Sequence, residues 1–179
     1  FHLMNKISFI HPKDQITDLI RRIYKAGLTT TSGGNISIKD HDGNIWVTPS
    51  AIDKGSLTRK DIVCVKPKGE IIGLHKPSSE FPFHKAIYDV RPDLKAVIHA
   101  HPPALVSFSI VRKIPNTNII PQAKHICGPI GYADYALPGG MELGDKIAEQ
   151  FSRGYDAVIM ENHGIVVGGT DIKDANTRF

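Results

Sequence analysis

Two hairpin signals in the first half of the chain constrain its fold most strongly. Short β-rich runs flank Asp42-Gly43, and the same pattern recurs around Lys68-Gly69. Such turns join adjacent antiparallel strands. The predicted strands are 35–39, 45–48, 62–66, 70–72, 96–99, 157–160 and 165–168. Helical spacing of apolar residues predicts helices over 12–26, 81–90, 104–111 and 141–151 and from 171 onward. Hairpins mixed with single crossover helices predict an α/β fold with a mixed, mostly antiparallel sheet covered by helices.

Size and composition exclude several classes of protein. The chain has 179 residues, 41% hydrophobic and 22% charged, which suits one globular domain and excludes a disordered or coiled-coil chain. No apolar run approaches the ~20 residues that cross a bilayer. The net charge of +4 comes from scattered Lys and Arg residues, so we expect neither a nucleic-acid nor a membrane partner. The N-terminal residues resemble no targeting signal, and we expect a cytoplasmic protein.

Histidines make up the most distinctive chemical pattern of the sequence. The chain has nine histidines and two cysteines, so a metal ion would need imidazole and carboxylate ligands. His99 and His101 end an apolar strand, where alternation places both side chains on one face. His163 follows another buried strand and precedes Gly164. Three histidines with one open position are typical of a catalytic zinc site, although each motif alone is also typical of a strand end or a turn.

Glu80 is the candidate acid/base. It follows Ser78-Ser79 directly before the predicted helix 81–90. One interpretation is a carboxylate that stabilises the helix N-terminus. The other is a metal ligand that becomes a proton carrier when substrate arrives.

Three segments offer small hydrogen-bond donors for an anion. They are Thr31–Asn35, Thr48–Ala51 and Ser78–Ser79. Each alone is more typical of a turn than of a site. Backbone N–H groups and hydroxyls can nevertheless bind a phosphate dianion without any arginine.

Taken together and in this order, the motifs resemble the class II aldolase/adducin family. They extend over most of the chain, from about residue 28 to residue 168. They are Gly-Asn-Ile-Ser (34–37), Thr-Pro-Ser (48–50), Pro-Ser-Ser-Glu (77–80), His-x-x-Ile-Tyr (84–88), His-x-His-Pro (99–102) and Asn-His-Gly (162–164).

The resemblance implies a three-layer α/β/α fold and a homotetramer with sites near the subunit interfaces. It implies one Zn²⁺ per subunit, and reversible cleavage of a sugar phosphate, L-fuculose 1-phosphate, to dihydroxyacetone phosphate and L-lactaldehyde. The implied metal ligands are Glu80, His99, His101 and His163, with Glu80 also the proton carrier. The implied phosphate-binding residues are Ser32, Gly34, Asn35, Ser50, Ala51, Ser78 and Ser79.

Other members of the family suggest alternative functions. Relatives that epimerise L-ribulose 5-phosphate are expected to carry Asp at the position of Glu80, so Glu80 favours an aldolase. A dehydratase acting on methylthioribulose phosphate is a further alternative. Adducin-like interaction modules lack the metal histidines, which this chain retains.

The sequence also departs from the aldolase pattern. A tyrosine expected to protonate the aldehyde oxygen is absent from 112–131; Tyr132, Tyr135, Lys124 and His125 are other donors in range. A second expected tyrosine belongs to a C-terminal tail. We therefore expect residues 1–179 to form a single domain without that tail.

Overall fold

The computed structural model describes residues 10–179, which form helices and strands in close agreement with the predicted order. The helices are α1 (Pro12–Lys25), α2 (Phe81–Val90), α3 (Pro103–Ile110), α4 (Pro121–Cys127), α5 (Met141–Ser152) and α6 (Ile172–Arg178), with a short 3₁₀ turn at Thr117–Ile119. The strands are β1 (Asn35–Lys39), β2 (Ile45–Val47), β3 (Val63–Val65), β4 (Ile71–Ile72), β5 (Ala96–Ala100), β6 (Gly131–Ala133), β7 (Ala157–Met160) and β8 (Gly164–Gly169).

These strands form a single sheet in the order β4-β3-β2-β1-β5-β8-β7-β6. Every neighbouring pair is antiparallel except β6 and β7, which are parallel. The prediction of a mixed, mostly antiparallel sheet is confirmed. Both predicted hairpins are present, and their turns place Gly43 at φ 82° and Gly69 at φ 89°, a conformation that glycine adopts without strain.

Helices cover both faces of this sheet. Alternate residues of the central strands point to opposite faces. On one face, Val97, Val158 and Val166 pack against the apolar residues of α2 and α5. On the other face, Ile98 and its neighbours pack against α1 and α6, while β7 and β8 also contact α3 residues. The predicted three-layer α/β/α architecture is confirmed.

The segment between α3 and α5 contains elements that the sequence patterns did not predict. Helix α4, the 3₁₀ turn and strand β6 all lie there. Strand β6 has three residues and pairs with β7 across the whole of α5, so no local periodicity indicates it. The predicted elements differ from the observed ones by one or two residues at some ends.

Strand register places the polar residues of the motifs near the middle of the sheet. Strand β5 lies between β1 and β8, and His99 is opposite Asn35 on one side and Val166 on the other. The start of β1, the end of β5 and the start of β8 therefore lie side by side, and their polar residues meet at one end of the central strands. Within residues 10–179, every helix is too short or too polar to cross a bilayer.

Candidate active site

Three histidines converge at this end of the central strands. His99 is on β5, His101 lies just beyond its end, and His163 occupies the turn between β7 and β8. The ring centroids of His99 lie 4.7 Å from His101 and 4.8 Å from His163, and those of His101 and His163 lie 5.1 Å apart. One nitrogen from each ring lies within 4.8 Å of the others. The structure thus brings together the three predicted metal ligands.

Small residues around His101 allow this close approach. A Cβ atom at Gly33 would lie 2.7 Å from Nδ1 of His101, and one at Gly164 would lie 2.5 Å from the carbonyl oxygen of Ala100 and 2.9 Å from Cδ2 of His101. Asn162 adopts φ 56° in the tight turn before His163, a conformation that asparagine tolerates better than most residues. Both glycine-containing motifs therefore serve the packing of the histidine cluster.

Glu80 lies immediately before α2 and points into the cluster. Its Oε2 atom lies 3.2 Å from Nε2 of His99, and its Oε1 atom lies 3.3 Å from Nε2 of His163. The carboxylate is buried. The hydroxyl of Ser78 accepts a hydrogen bond from the backbone N–H of Glu80 at 3.2 Å, which fixes the start of the helix. Glu80 is therefore close enough to bind a metal ion together with the histidines.

The electrostatics of the cluster favour a bound cation. Burial alone would raise the pKa of Glu80, but the charge of His99 and hydrogen bonds hold the pKa well below its ordinary value. Burial and the charge of His99 lower the pKa of His101 to about 3 and that of His163 to about 4. Burial opposes a charge on His99 too, but Glu80 raises its pKa. At neutral pH the site thus contains a carboxylate and at least two neutral imidazoles, the forms that bind metals.

Unsatisfied buried atoms show that a metal ion fits this donor set. Nδ1 of His99 lies 2.9 Å from the carbonyl oxygen of Ile165; when Nδ1 donates that proton, Nε2 presents its lone pair to Glu80. Nε2 of His99 and Oε1 of Glu80 are both buried without a hydrogen bond, which is costly unless a cation shared by the cluster satisfies them. Three imidazole nitrogens and one carboxylate oxygen suit Zn²⁺ and related divalent ions.

A buried chain of hydrogen bonds extends from Glu80 into the core. The Asn35 amide donates to Oε2 of Glu80 at 2.7 Å, and Nε2 of His84 lies 2.5 Å from Oδ1 of Asn35. Since a carbonyl oxygen only accepts, Nε2 of His84 carries the proton and Nδ1 accepts from the Ser37 hydroxyl at 2.7 Å. The Ser37 hydroxyl also contacts the Tyr88 hydroxyl at 2.8 Å. Burial lowers the pKa of His84 to about 3, so the ring is neutral, as this arrangement requires.

The sequence patterns did not predict this series of hydrogen bonds, although the spacing of three of its residues indicates part of it. Glu80, His84 and Tyr88 follow one another at four-residue spacing, which places them on one side of α2. The other two members of the series, Asn35 and Ser37, are two residues apart on β1 and therefore lie on the same face of that strand. Only the packing of α2 against β1 brings the two sets together.

The three predicted anion-binding segments are joined by backbone hydrogen bonds. The loop after β2 is tied both to the residues before α2 and to the loop before β1. The N–H to O distances are 3.0 Å from Ser50 to Lys76, 3.0 Å from Ser78 to Thr48 and 2.8 Å from Lys54 to Thr31. The donors that the sequence predicted separately therefore belong to one continuous surface beside Glu80.

Individual residues of this surface differ in what they offer. Ser32, Ala51 and Ser79 are exposed, Ser50 is half-buried, and Gly34, Asn35 and Ser78 are buried. The side chain of Asn35 is bonded to Glu80 and His84. Its side-chain amide is thus committed to the acid/base in this structure.

A second buried carboxylate supports the turn that carries His163. Oε2 of Glu161 accepts a hydrogen bond from the N–H of Tyr135 at 2.9 Å, and Oε1 pairs with Arg112 at 2.5 Å. The backbone of Tyr135 and the guanidinium group of Arg112 therefore lie next to that turn. The hydroxyl of Tyr132 instead donates to the carbonyl oxygen of Ser109.

Known proteins share both the sequence and the fold of this chain. It is 36% identical over 158 residues to the L-fuculose phosphate aldolase of Methanococcus maripaludis strain S2, covering 88% of this chain and 84% of that protein. It is 30% identical over 167 residues to the 3-oxo-tetronate 4-phosphate decarboxylase of Haemophilus influenzae, covering 91% and 79%. The solved structure of an L-fuculose 1-phosphate aldolase superposes with a TM-score of 0.84 at 29% identity, covering 93% of this chain and 79% of that one.

These findings also establish the class of enzyme. Aldolases and decarboxylases of this kind both break a carbon–carbon bond near a carbonyl group, which makes the chain a metal-dependent lyase. The family described as Class II Aldolase and Adducin N-terminal domain matches residues 14–179, so the resemblance found in the motifs is confirmed. The chain belongs to the class II aldolase and adducin N-terminal domain family.

Proposed function

We propose that this protein is a zinc-dependent aldolase that reversibly cleaves L-fuculose 1-phosphate to dihydroxyacetone phosphate and L-lactaldehyde. One observation carries the proposal: the buried carboxylate of Glu80 contacts two of three convergent imidazoles and lies beside the joined small-donor loops. An acid/base, a cation site and an anion site are thus adjacent. The similarity to L-fuculose phosphate aldolases supports the choice of substrate.

The reaction requires stabilisation of negative charge. Breaking the C3–C4 bond of the ketose leaves an enediolate on the three-carbon fragment. A divalent cation held by His99, His101 and His163 supplies positive charge where this anion develops. The Nδ1 contact of His99 with Ile165 fixes the ring so that Nε2 faces the cluster.

Glu80 moves the proton in this proposal. In the condensation direction its carboxylate accepts the proton from C3 of dihydroxyacetone phosphate, and in the cleavage direction it returns that proton. A carboxylate with a depressed pKa is ionised at neutral pH and ready to accept. The Asn35 amide, itself fixed by His84, holds one oxygen of Glu80 in place.

The joined loops bind the phosphoryl group of the substrate in this proposal. The candidate pocket is formed by Ser32, Gly34, Asn35, Ser50, Ala51, Ser78 and Ser79. Ser50 and Ser78 offer their hydroxyls, because their backbone N–H groups already donate to Lys76 and Thr48. Binding the phosphate at one end of the substrate fixes the reacting carbon beside Glu80. The residues at the aldehyde end, among them Tyr135, set which aldehyde is accepted.

A decarboxylase acting on 3-oxo-tetronate 4-phosphate is the second candidate, favoured by relatives with 30% and 33% identity. Loss of CO₂ from C1 of this 3-keto acid leaves an enediolate on C2 and C3. Protonation of C2 then gives dihydroxyacetone phosphate. Both reactions therefore pass through the same anion, and the cation and phosphate ends of the site serve either one. The leaving group, an aldehyde or CO₂, is the difference.

A substrate panel tests both candidates. Purified protein with measured zinc content is incubated with L-fuculose 1-phosphate, 3-oxo-tetronate 4-phosphate and L-ribulose 5-phosphate. The aldolase releases dihydroxyacetone phosphate and L-lactaldehyde from the first, and the loss of that activity with a chelator and its return with Zn²⁺ support the metal assignment. Release of CO₂ from the second compound without cleavage of the first identifies the decarboxylase. Formation of D-xylulose 5-phosphate from the third identifies an epimerase.

We also propose that the subunits form a homotetramer with the sites near the interfaces. Large apolar side chains are exposed along α3 and the segment that follows: Ile110, Val111, Ile119 and Ile120 are each at least 59% exposed. A patch of this kind favours association with another protein surface. Light scattering on the eluting protein measures the mass, and a monomer at assay concentration would contradict the proposal.

A further inference from the structure

Lys54 is a buried lysine in the loop between β2 and β3. Only 2% of its surface is exposed to solvent. Buried carboxylates elsewhere have cationic or imidazole partners: Glu80 has His99 and His163, and Glu161 has Arg112. Within residues 10–179, no carboxylate oxygen lies within 4.0 Å of the Nζ atom of Lys54. A buried ammonium group without an opposite charge in contact is rare, because burial of a charge is costly.

The ammonium group lies on the inner side of the turn that carries Ser50 and Ala51. Its Nζ atom donates to the carbonyl oxygen of Pro49 at 3.3 Å and to that of Ile52 at 3.1 Å. These carbonyls flank the two candidate phosphate donors. Lys54 is therefore bound to the backbone of the turn from beneath.

The backbone of Lys54 also connects two of the candidate phosphate loops. Its N–H donates to the carbonyl oxygen of Thr31 at 2.8 Å, at the start of the loop that contains Ser32 and Gly34. The residue thus lies where the loop before β1 meets the loop after β2. A positive charge at this point acts on any anion that both loops bind.

The candidate phosphate donors themselves carry no positive charge. They are backbone N–H groups and serine hydroxyls, since the side-chain amide of Asn35 is bonded to Glu80 and His84. Two carbonyl oxygens compensate part of the buried charge of Lys54, and burial lowers its pKa while Asp53 and Glu80 oppose that change. A dianion in the loops would add opposite charge close to an ammonium group that no carboxylate contacts directly.

We propose that Lys54 supplies the fixed positive charge of the phosphate pocket and acts through the Ser50–Ala51 turn to select phosphorylated substrates. This inference rests on the proposed function, because it assigns the phosphoryl group of the substrate to these loops. Lys54 acts as a positioning and specificity residue; it touches the turn and leaves contact with the phosphate to the loop donors.

Binding of inorganic phosphate tests the proposal independently of catalysis. Calorimetry at fixed ionic strength compares the wild type with Lys54→Met, which removes the charge, and Lys54→Gln, which removes the charge but keeps an N–H donor. We expect both variants to bind phosphate on the order of 10- to 100-fold more weakly, the size of one charge interaction at intermediate dielectric. Lys60→Met is the matched control, since Lys60 is an exposed lysine of the same loop and its charge is screened by solvent; we expect a change below ~3-fold.

Kinetics separate this electrostatic role from a purely structural one. We expect both Lys54 variants to raise KM for the phosphorylated ketose, with kcat and the turnover of the unphosphorylated sugar changed little. If Lys54 only supports the turn, Lys54→Met impairs both sugars alike and Lys54→Gln restores phosphate binding, which overturns the proposal. Lys54→Gln keeps the test decisive should Lys54→Met not fold, as judged by circular dichroism.

The result for the wild type distinguishes the two levels of proposal. Equal phosphate affinity in the wild type and in both Lys54 variants overturns the role of Lys54 but leaves the phosphate pocket intact. Failure of the wild type to bind phosphate overturns the pocket as well, and with it the sugar-phosphate step of the proposed function.

Discussion

The side-chain amide of Asn35 donates a 2.7 Å hydrogen bond to the carboxylate of Glu80, across a separation of 45 residues. Asn35 begins β1 opposite His99, and Glu80 directly precedes α2. The contact therefore links the strand layer that carries the histidines to the helix layer that carries the acid.

Replacing Glu80 by glutamine removes the proton acceptor with little change in shape. We expect Glu80→Gln to remain folded and to lose on the order of 10²- to 10⁴-fold in kcat, the usual contribution of general acid–base catalysis. Exchange of the C3 proton of dihydroxyacetone phosphate with deuterated water, followed by NMR, measures this step directly. Glu70→Gln alters an exposed acid and serves as control; undiminished exchange in Glu80→Gln would rule out the assigned role.

Ser37 holds the neutral His84 ring in the orientation that fixes Asn35. Ser37→Ala leaves Nδ1 of His84 without its hydrogen-bond donor in a buried position, while the Tyr88 hydroxyl keeps its 3.1 Å hydrogen bond to the backbone carbonyl of residue 37. We expect the free energy of unfolding in urea to fall by about 1–3 kcal/mol. Ser107→Ala, at an exposed hydroxyl on α3, should change it by less than about 0.5 kcal/mol. Equal stability of the two variants would contradict a stabilising role for the buried hydrogen bonds of Ser37.

Acid should destabilise the metal-free protein through His84. Because the pKa of His84 in the folded protein is about 3, below the ordinary value, the unfolded chain binds a proton that the folded one excludes. The stability that His84 contributes is therefore fully present above pH 6.5 and falls by up to about 1.4 kcal/mol per pH unit as the pH drops toward 3. His101 and His163, whose pKa values are also lowered, steepen the fall in the same direction. Urea unfolding of chelator-treated protein at pH 7, 6, 5 and 4 measures the slope. His84→Gln should make the slope shallower by about one proton, whereas Ser107→Ala, which removes no titratable group, should leave it unchanged.

Gly164 is required for the close packing of His101. A methyl group there meets the carbonyl oxygen of Ala100 and the His101 ring, so we expect Gly164→Ala to lower stability by about 1–3 kcal/mol and to reduce bound metal per chain. Elemental analysis after dialysis measures the metal. Gly144→Ala on α5 is the control, since its new Cβ would lie at ordinary contact distances of 3.6 Å or more. Full metal content in Gly164→Ala would show that the cluster tolerates the displacement.

The sequence alone determined the features that depend on local periodicity. Strand alternation predicted that His99 and His101 share a face, hairpin glycines predicted antiparallel strands, and the order of short motifs indicated the family. The first two signals and each single motif are local in the sequence, and the motifs are read together only through their order along the chain. Strand β6 was not predicted because it pairs with β7, from which it is separated in the sequence by a whole helix.

Only the tertiary structure decided which polar groups meet. His163 reaches the other histidines because β8 pairs with β5, and Asn35 reaches Glu80 because α2 packs over β1. The burial of Lys54 beneath its turn likewise follows from the joining of separate loops. Contacts between residues far apart in the chain depend on the register of the strands and on the packing of whole layers. A local pattern of side chains determines neither of these.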